Sequence, residues 1–166
     1  MTVQLFDEQD QQVTQEQTPG EIRMKGDNLF REYWNNPKAT QETFKQGWFC
    51  SGDIAVIEDG YIRIMGRSSI DIIKSGGYKL SALEIEGVLL THEDISEAAV
   101  IGIADDTWGE AVAAYICLRQ GAQLGYADLK DWCSSRMSAY KIPKQLKILD
   151  SLPRNAMGKV TKPSLK

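Results

Sequence analysis

The chain has 166 residues, 42% hydrophobic and 25% charged, with a formal net charge of −4. That is the make-up of an ordinary soluble globular protein with material for a core, and no run of about 18 apolar residues is present to span a membrane. The charge is uneven: the first 60 residues are acid-rich, while beyond Ser135 eight Lys and Arg residues face Asp150 alone. A basic end on an acidic protein suits a polyanionic small molecule, and the sparse aromatic interleaving excludes nucleic acid as a partner.

Up to about Gly66 the pattern predicts a β-rich region. Thr2 to Phe6 reads as a strand, Asp7 to Thr18 as a polar loop ending at Pro19-Gly20, and Glu21 to Lys25 as a strand with Ile22 and Met24 on one face. Pro37 to Lys45 has room for one or two helical turns. Ile54 to Glu58 and Tyr61 to Met65 flank Asp59-Gly60, a strong two-residue hairpin signal. Ile70-Asp71-Ile72-Ile73 then reads as a short β run, followed by Gly76-Gly77, where the backbone can turn sharply or approach something closely. Ser81-Ala82-Leu83-Glu84 is a capping box, and the helix it opens puts Ile85, Val88 and Leu89 on one face. Ala98 to Ile103 and Ala111 to Arg119 are β-branched, apolar strands around a polar turn at Ala104 to Glu110. Asp128 to Met137 places Leu129, Trp132, Cys133 and Met137 on one helical face, and Gln145 to Leu149 reads as a last strand. The second part has its own apolar face and reads as an independent α+β domain.

Cys50, Cys117 and Cys133 are odd in number, widely spaced and without a CxxC pattern. They read as reduced thiols of a cytoplasmic protein rather than a disulfide framework or zinc site. The single His92 cannot build a metal cluster and is expected at a solvent-facing helix end, so no metal site is predicted. Met1-Thr2-Val3-Gln4 opens no signal-peptide pattern, and the acidic start argues against a transit peptide.

Five segments form an ordered set: Gly20-Glu21-Ile22-Arg23 with Tyr33-Trp34-Asn35-Asn36-Pro37; Gly47-Trp48-Phe49-Cys50-Ser51-Gly52-Asp53; Gly66 to Glu86; Tyr140-Lys141-Ile142-Pro143; and Pro153 to Lys159. Together they resemble the C-terminal third of the adenylate-forming enzymes, and FREYWNNPKATQETF, SGGYKLSALEIE and LPRNAMGKV look most like acyl-CoA synthetases of the malonyl-CoA synthetase type. The resemblance implies an α+β small C-terminal lid domain over residues 69–166, a sheet flanked by helices. Residues 1–68 would be a β-rich sub-barrel piece of the large N-terminal adenylating domain. The phosphate loop and acid pocket of that missing N-terminal domain are not in this sequence, so the chain is expected to be a fragment or a split component, inactive alone.

The implied chemistry is activation of a carboxylic acid by ATP to acyl-AMP with release of pyrophosphate, then transfer of the acyl group to CoA. Mg2+ would accompany ATP, bound mainly by the missing domain. Lys159 matches the adenylation lysine, whose mobile ammonium bridges carboxylate and α-phosphate oxygens. Asp53 matches the acceptor of both ribose hydroxyls, and Arg67 the arginine at the joint. Lys79 stands where relatives carry a basic or polar residue near the AMP phosphate. Gly76 and Gly77 match the loop lining the pantetheine channel after the small domain rotates. Trp48 and Tyr78 read as packing aromatics. Ser51 replaces a usual Thr, keeping the hydroxyl, and His92-Glu93 replaces a common His-Pro. Arg67-Ser68-Ser69-Ile70-Asp71 lacks the usual spacing of a charged hinge residue, leaving Ser69 and Asp71 both as hinge candidates. Two other readings fit the same residues: a free-standing nucleotide- or CoA-binding or split-subunit module, and an adenylation domain that loads a carrier protein.

Overall fold

A computed structural model describes residues 1–165, and its chain divides into two units, Met1–Ser69 and Ile70–Lys166. The first unit is one antiparallel sheet with a short helix. Its elements are β1 (Thr2–Phe6), β2 (Gln12–Val13), β3 (Gly20–Lys25), α1 (Pro37–Thr43), β4 (Phe44–Lys45), β5 (Trp48–Glu58) and β6 (Tyr61–Arg67). The strand order is β2-β1-β3-β5-β4, and β6 also pairs with β5. The stretch expected as a plain loop from Asp7 to Thr18 contains β2, because Asp7 Oδ1 accepts the Gln9 and Gln11 amides at 2.9 and 2.8 Å and turns the chain back on β1. Asp59 and Gly60 both have positive φ, as a tight hairpin between β5 and β6 requires. The core is small: Leu5, Val13, Ile22 and Ala55, with Met24 and Ile57 against it. Ile62 and Ile64, on one face of β6, are exposed.

The second unit contains β7 (Ile72–Ser75), β8 (Tyr78–Ser81), α2 (Ala82–Leu89), β9 (Ile95–Asp105), β10 (Gly109–Leu118), α3 (Tyr126–Ser134) and β11 (Gln145–Ile148). Its centre is the long β9–β10 hairpin, with β11 parallel to β10 and the β7–β8 hairpin joined at Ser75 and Gly109. Both faces of β10 are buried, which is why its sequence is a continuous apolar run rather than an alternating one. Val112, Ala114 and Ile116 face the helices with Ile85, Leu89, Leu129 and Cys133. Ala113, Tyr115 and Cys117 face the other way and are covered by Leu152 and Leu165 of the C-terminal segment.

Three local expectations are corrected. The β run begins at Ile72, not Ile70: Ile70 and Asp71 lie in a turn, where Ile70 is exposed. Met137 falls beyond α3, which stops at Ser134, although it still packs against the helical core. His92 is buried, not solvent-facing; its ring lies 4.8 Å from the Trp132 ring and its Nδ1 accepts the Asp94 amide at 3.1 Å.

Candidate active site

Asp53 and Arg67 are brought together by strand register: they are paired residues of β5 and β6. Arg67 donates through one guanidinium nitrogen to Asp53 Oδ1 at 3.1 Å and to the Ser51 carbonyl at 2.7 Å. The turn before Asp53 is braced from below. Ser51 Oγ donates to the Ile22 carbonyl at 2.8 Å and accepts the Asp53 amide at 3.0 Å, so the serine hydroxyl links β3 to the turn. Gly52 has a φ of 76°, a left-handed conformation that glycine adopts without strain, and Glu21 accepts its amide at 3.2 Å. Glu21 also holds Arg23 Nε at 3.0 Å, and the buried Arg23 reaches Asp10 and lies over the Phe6 ring. Glu21 and Arg23 were visible in sequence as strand residues within the first of the resembling segments; nothing in their spacing announced a brace for Asp53. The geometry leaves a partly exposed carboxylate beside a guanidinium, suited to vicinal hydroxyls and adjoining phosphate.

The Gly76-Gly77 turn joins β7 and β8, with φ of 58° and 83°. A side chain on Gly76 would place Cβ 2.8 Å from Trp108 Cε3, whereas Cβ on Gly77 would meet open space. Gly76 therefore answers to packing, and Gly77 keeps an open surface at the turn. Trp108 accepts the Gly76 amide through its carbonyl at 2.9 Å, and Lys144 Nζ lies 4.4 Å from the Trp108 ring centroid. Tyr78 is exposed and stacks on Tyr140, with centroids 4.9 Å apart, rather than packing in a core. Lys79 and Lys74 stand opposite each other across β7–β8, so their positive charges add on one face. Trp48, by contrast, packs against Phe6 with ring centroids 5.2 Å apart.

Lys159 sits at the end of a tight turn closed by the Arg154–Val160 bridge. Asn155 Oδ1 accepts the Met157 and Lys159 amides at 3.0 Å each, and Arg154 donates to the Gly158 carbonyl at 2.7 Å. Lys159 itself is exposed and has no ion pair among the described residues.

Asp71 is tied down. Lys162 Nζ is 2.6 Å from Asp71 Oδ1 and 2.8 Å from Glu86 Oε1, and Glu86 Oε1 also accepts the Val100 amide at 2.7 Å on β9. Burial pushes the Glu86 carboxyl up from its ordinary value, against the pull of Lys162 and the Val100 amide. Ser68 and Ser69 are exposed. The capping box holds in its forward half, with the Glu84 amide 3.1 Å from Ser81 Oγ, while the Glu84 carboxylate takes Lys141 at 2.5 Å. No group of three His, Cys, Asp or Glu residues among those described could hold a metal ion.

Residues 84–159 match the family described as AMP-binding enzyme C-terminal domain. With that match and the fold, the chain is similar to the C-terminal part of the adenylate-forming acid–CoA ligases. Within that class it is similar to the malonate–CoA ligase (mitochondrial) of Homo sapiens, 46% identical over 151 residues that make up 90% of this chain and 26% of that protein. The malonate–CoA ligase of Arabidopsis thaliana is 47% identical over 159 residues, 89% of this chain and 26% of that protein. The o-succinylbenzoate CoA synthetase of Bacillus subtilis in complex with its acyl-adenylate intermediate superposes with a TM-score of 0.88 at 34% identity, over 99% of this chain and 33% of that one. The chain thus spans about a quarter of the length of the curated relatives it matches.

Proposed function

We propose that this chain is the C-terminal part of an AMP-forming acid–CoA ligase and supplies that enzyme with the nucleotide-contacting joint, the adenylation lysine and the wall of the thiol channel. In the first half-reaction a carboxylate oxygen attacks the α-phosphorus of ATP and the bond to pyrophosphate breaks. In the second, the CoA sulfur attacks the acyl carbonyl, losing its proton, and AMP leaves. Lys159 neutralises charge in the first step, Asp53 and Arg67 hold the ribose and adjoining phosphate, and Lys79 adds positive potential for nucleotide or CoA. Mg2+ would travel with ATP; the described residues offer no cluster to hold it, and no step here runs through it.

The observation that carries this reading is the placement of two candidate sites in one unit. The Lys159 turn lies by the start of β9, where Arg154 pairs with Glu97, and the Gly76-Gly77 turn sits against Trp108 and Gly109, at the other end of the β9–β10 hairpin. The eight residue steps from Glu97 to Asp105 span roughly 25 Å as a strand. A rigid unit with sites so far apart serves one reacting centre only by reorienting, which is what two successive half-reactions ask for. With Asp71 held inside the second unit, the pivot falls on the exposed Ser68–Ser69, so Ser69 is the hinge and Asp71 an anchor. Exposed Ile62 and Ile64 on β6 support the reading of residues 1–68 as a sub-barrel piece that a larger N-terminal domain completes.

The malonate–CoA ligase likeness makes a short dicarboxylic acid the first substrate to test, with a place in fatty acid metabolism. The free thiols suit a reducing compartment, which the cytoplasm and the mitochondrial interior share. The full enzyme carrying these residues should release pyrophosphate with malonate and ATP and form a thioester with CoA, and the 166-residue chain alone should release none. Pyrophosphate release by the isolated chain would contradict the proposal.

A further inference from the structure

The buried cluster of Asp71, Glu86 and Lys162 takes no part in the chemistry above. We propose that Lys162 is a positioning residue: its ammonium, clasped by Asp71 and Glu86, fixes the Lys159 turn to the start of β7 and to α2, so that these elements and the adenylation lysine move as one body. The inference rests on the ligase reading.

Two legs of chain hold the Lys159 turn. On the leading leg the Arg154–Glu97 pair has side chains 44% and 36% exposed, and exposed pairs constrain little. On the trailing leg Lys162, three residues past Lys159, has its side chain only 10% exposed, with 14% at Asp71 and 13% at Glu86. The path between is short and hydrogen-bonded: the Thr161 amide reaches the Pro153 carbonyl at 2.8 Å and the Ser164 amide reaches Thr161 at 3.0 Å. Apolar anchoring of this segment is already supplied by Leu152 and Leu165. Burying three charged groups in addition is a poor route to stability, since an apolar replacement of like volume often does as well. What the charged cluster adds is direction. A lysine between two carboxylates contributed by the residue just before β7 and by α2 holds one register of the C-terminal segment against β9, where Glu86 also takes the Val100 amide. Internally the Lys159 turn is already rigid through Asn155 and Arg154, so fixing the trailing leg fixes where the Lys159 ammonium projects.

The test uses the triple variant Asp71→Asn/Glu86→Gln/Lys162→Met, which removes the tie without leaving buried charge unpaired, and Leu89→Ala as a control that loosens the helical core instead. Amide hydrogen exchange on the 166-residue chain should show Asn155, Lys159 and Thr161 exchanging at least about tenfold faster, relative to Val112 and Ile116, in the triple variant but not in the control. In the full enzyme the same variant should slow acyl-AMP formation at least about tenfold, with the KM for ATP and thioester formation from supplied acyl-AMP within about twofold of the parent. An unchanged exchange ratio in a folded triple variant would overturn the inference. Faster exchange with both half-reactions slowed alike would instead overturn the adenylation role on which it rests.

Discussion

Glu21 and Glu86 show how a carboxylate outside the chemistry sets the terms for one inside it. Glu21 holds the Gly52 amide and Arg23 at once, so Glu21→Ala should loosen the turn that presents Asp53. The expected result is a several-fold higher KM for ATP in the full enzyme and about 1–2 kcal/mol less stability in the first unit, read by steady-state kinetics and chemical denaturation. Glu86 behaves differently from its partner Lys162. Because burial raises its carboxyl above the ordinary 4.5, its contribution to stability is present below that value and is lost as pH rises through the folded value. Glu86→Gln should therefore be well tolerated at pH 7, with Lys162 still paired to Asp71. Lys162→Met leaves two buried carboxylates facing each other and should cost about 3 kcal/mol or more. Comparable losses from the two substitutions would contradict this assignment. Asp10 has the opposite sign: its hydrogen bond from Arg23 holds it below 3.8, so its contribution is present above 3.8 and lost as pH falls through the folded value.

The two glycines of the β7–β8 turn separate packing from passage. Gly76→Ala pushes Cβ into the Trp108 ring and should destabilise the second unit in thermal melts. Gly77→Leu meets no neighbour, so beyond the strain of its positive φ its effect should appear in thioester formation, leaving acyl-AMP formation near the parent rate. Elements of this kind were legible in the sequence because their causes are local. Asp59-Gly60 and Gly76-Gly77 are turn chemistry read from adjacent residues, and Ser81 with Glu84 announces α2. The start of β7 was misplaced because the apolar Ile70 looks like a strand residue in any window; only tertiary pairing from Ile72 to Ser81 decides where the ladder begins. His92 was placed in solvent because nothing near it in sequence reveals that Trp132, forty residues on, closes over its ring. The Lys162 cluster was invisible for the same reason, since its hydrogen-bonded partner Asp71 lies 91 residues away.

Taken as a pair, the two units differ in how much they bury. The second has apolar clusters on both faces of its central hairpin, whereas the first has a single cluster of four buried residues, with Ile54, Val56 and Met65 buried apart from it. Hydrogen exchange of the isolated chain should therefore protect Ile70–Lys166 more strongly than Met1–Ser69, and the reverse order would contradict the view that the first unit leans on a larger domain. The fold class and the family likeness were readable from ordered motifs spread over both units; the assignment of work to each unit is open to direct measurement. Lys159→Ala in the full enzyme, followed by single-turnover assay of each half-reaction, measures it. The account predicts that acyl-AMP formation slows on the order of 10²-fold or more, while thioester formation from supplied acyl-AMP proceeds near the parent rate. Equal slowing of both half-reactions, or no slowing of the first, would show that Lys159 is not the adenylation lysine.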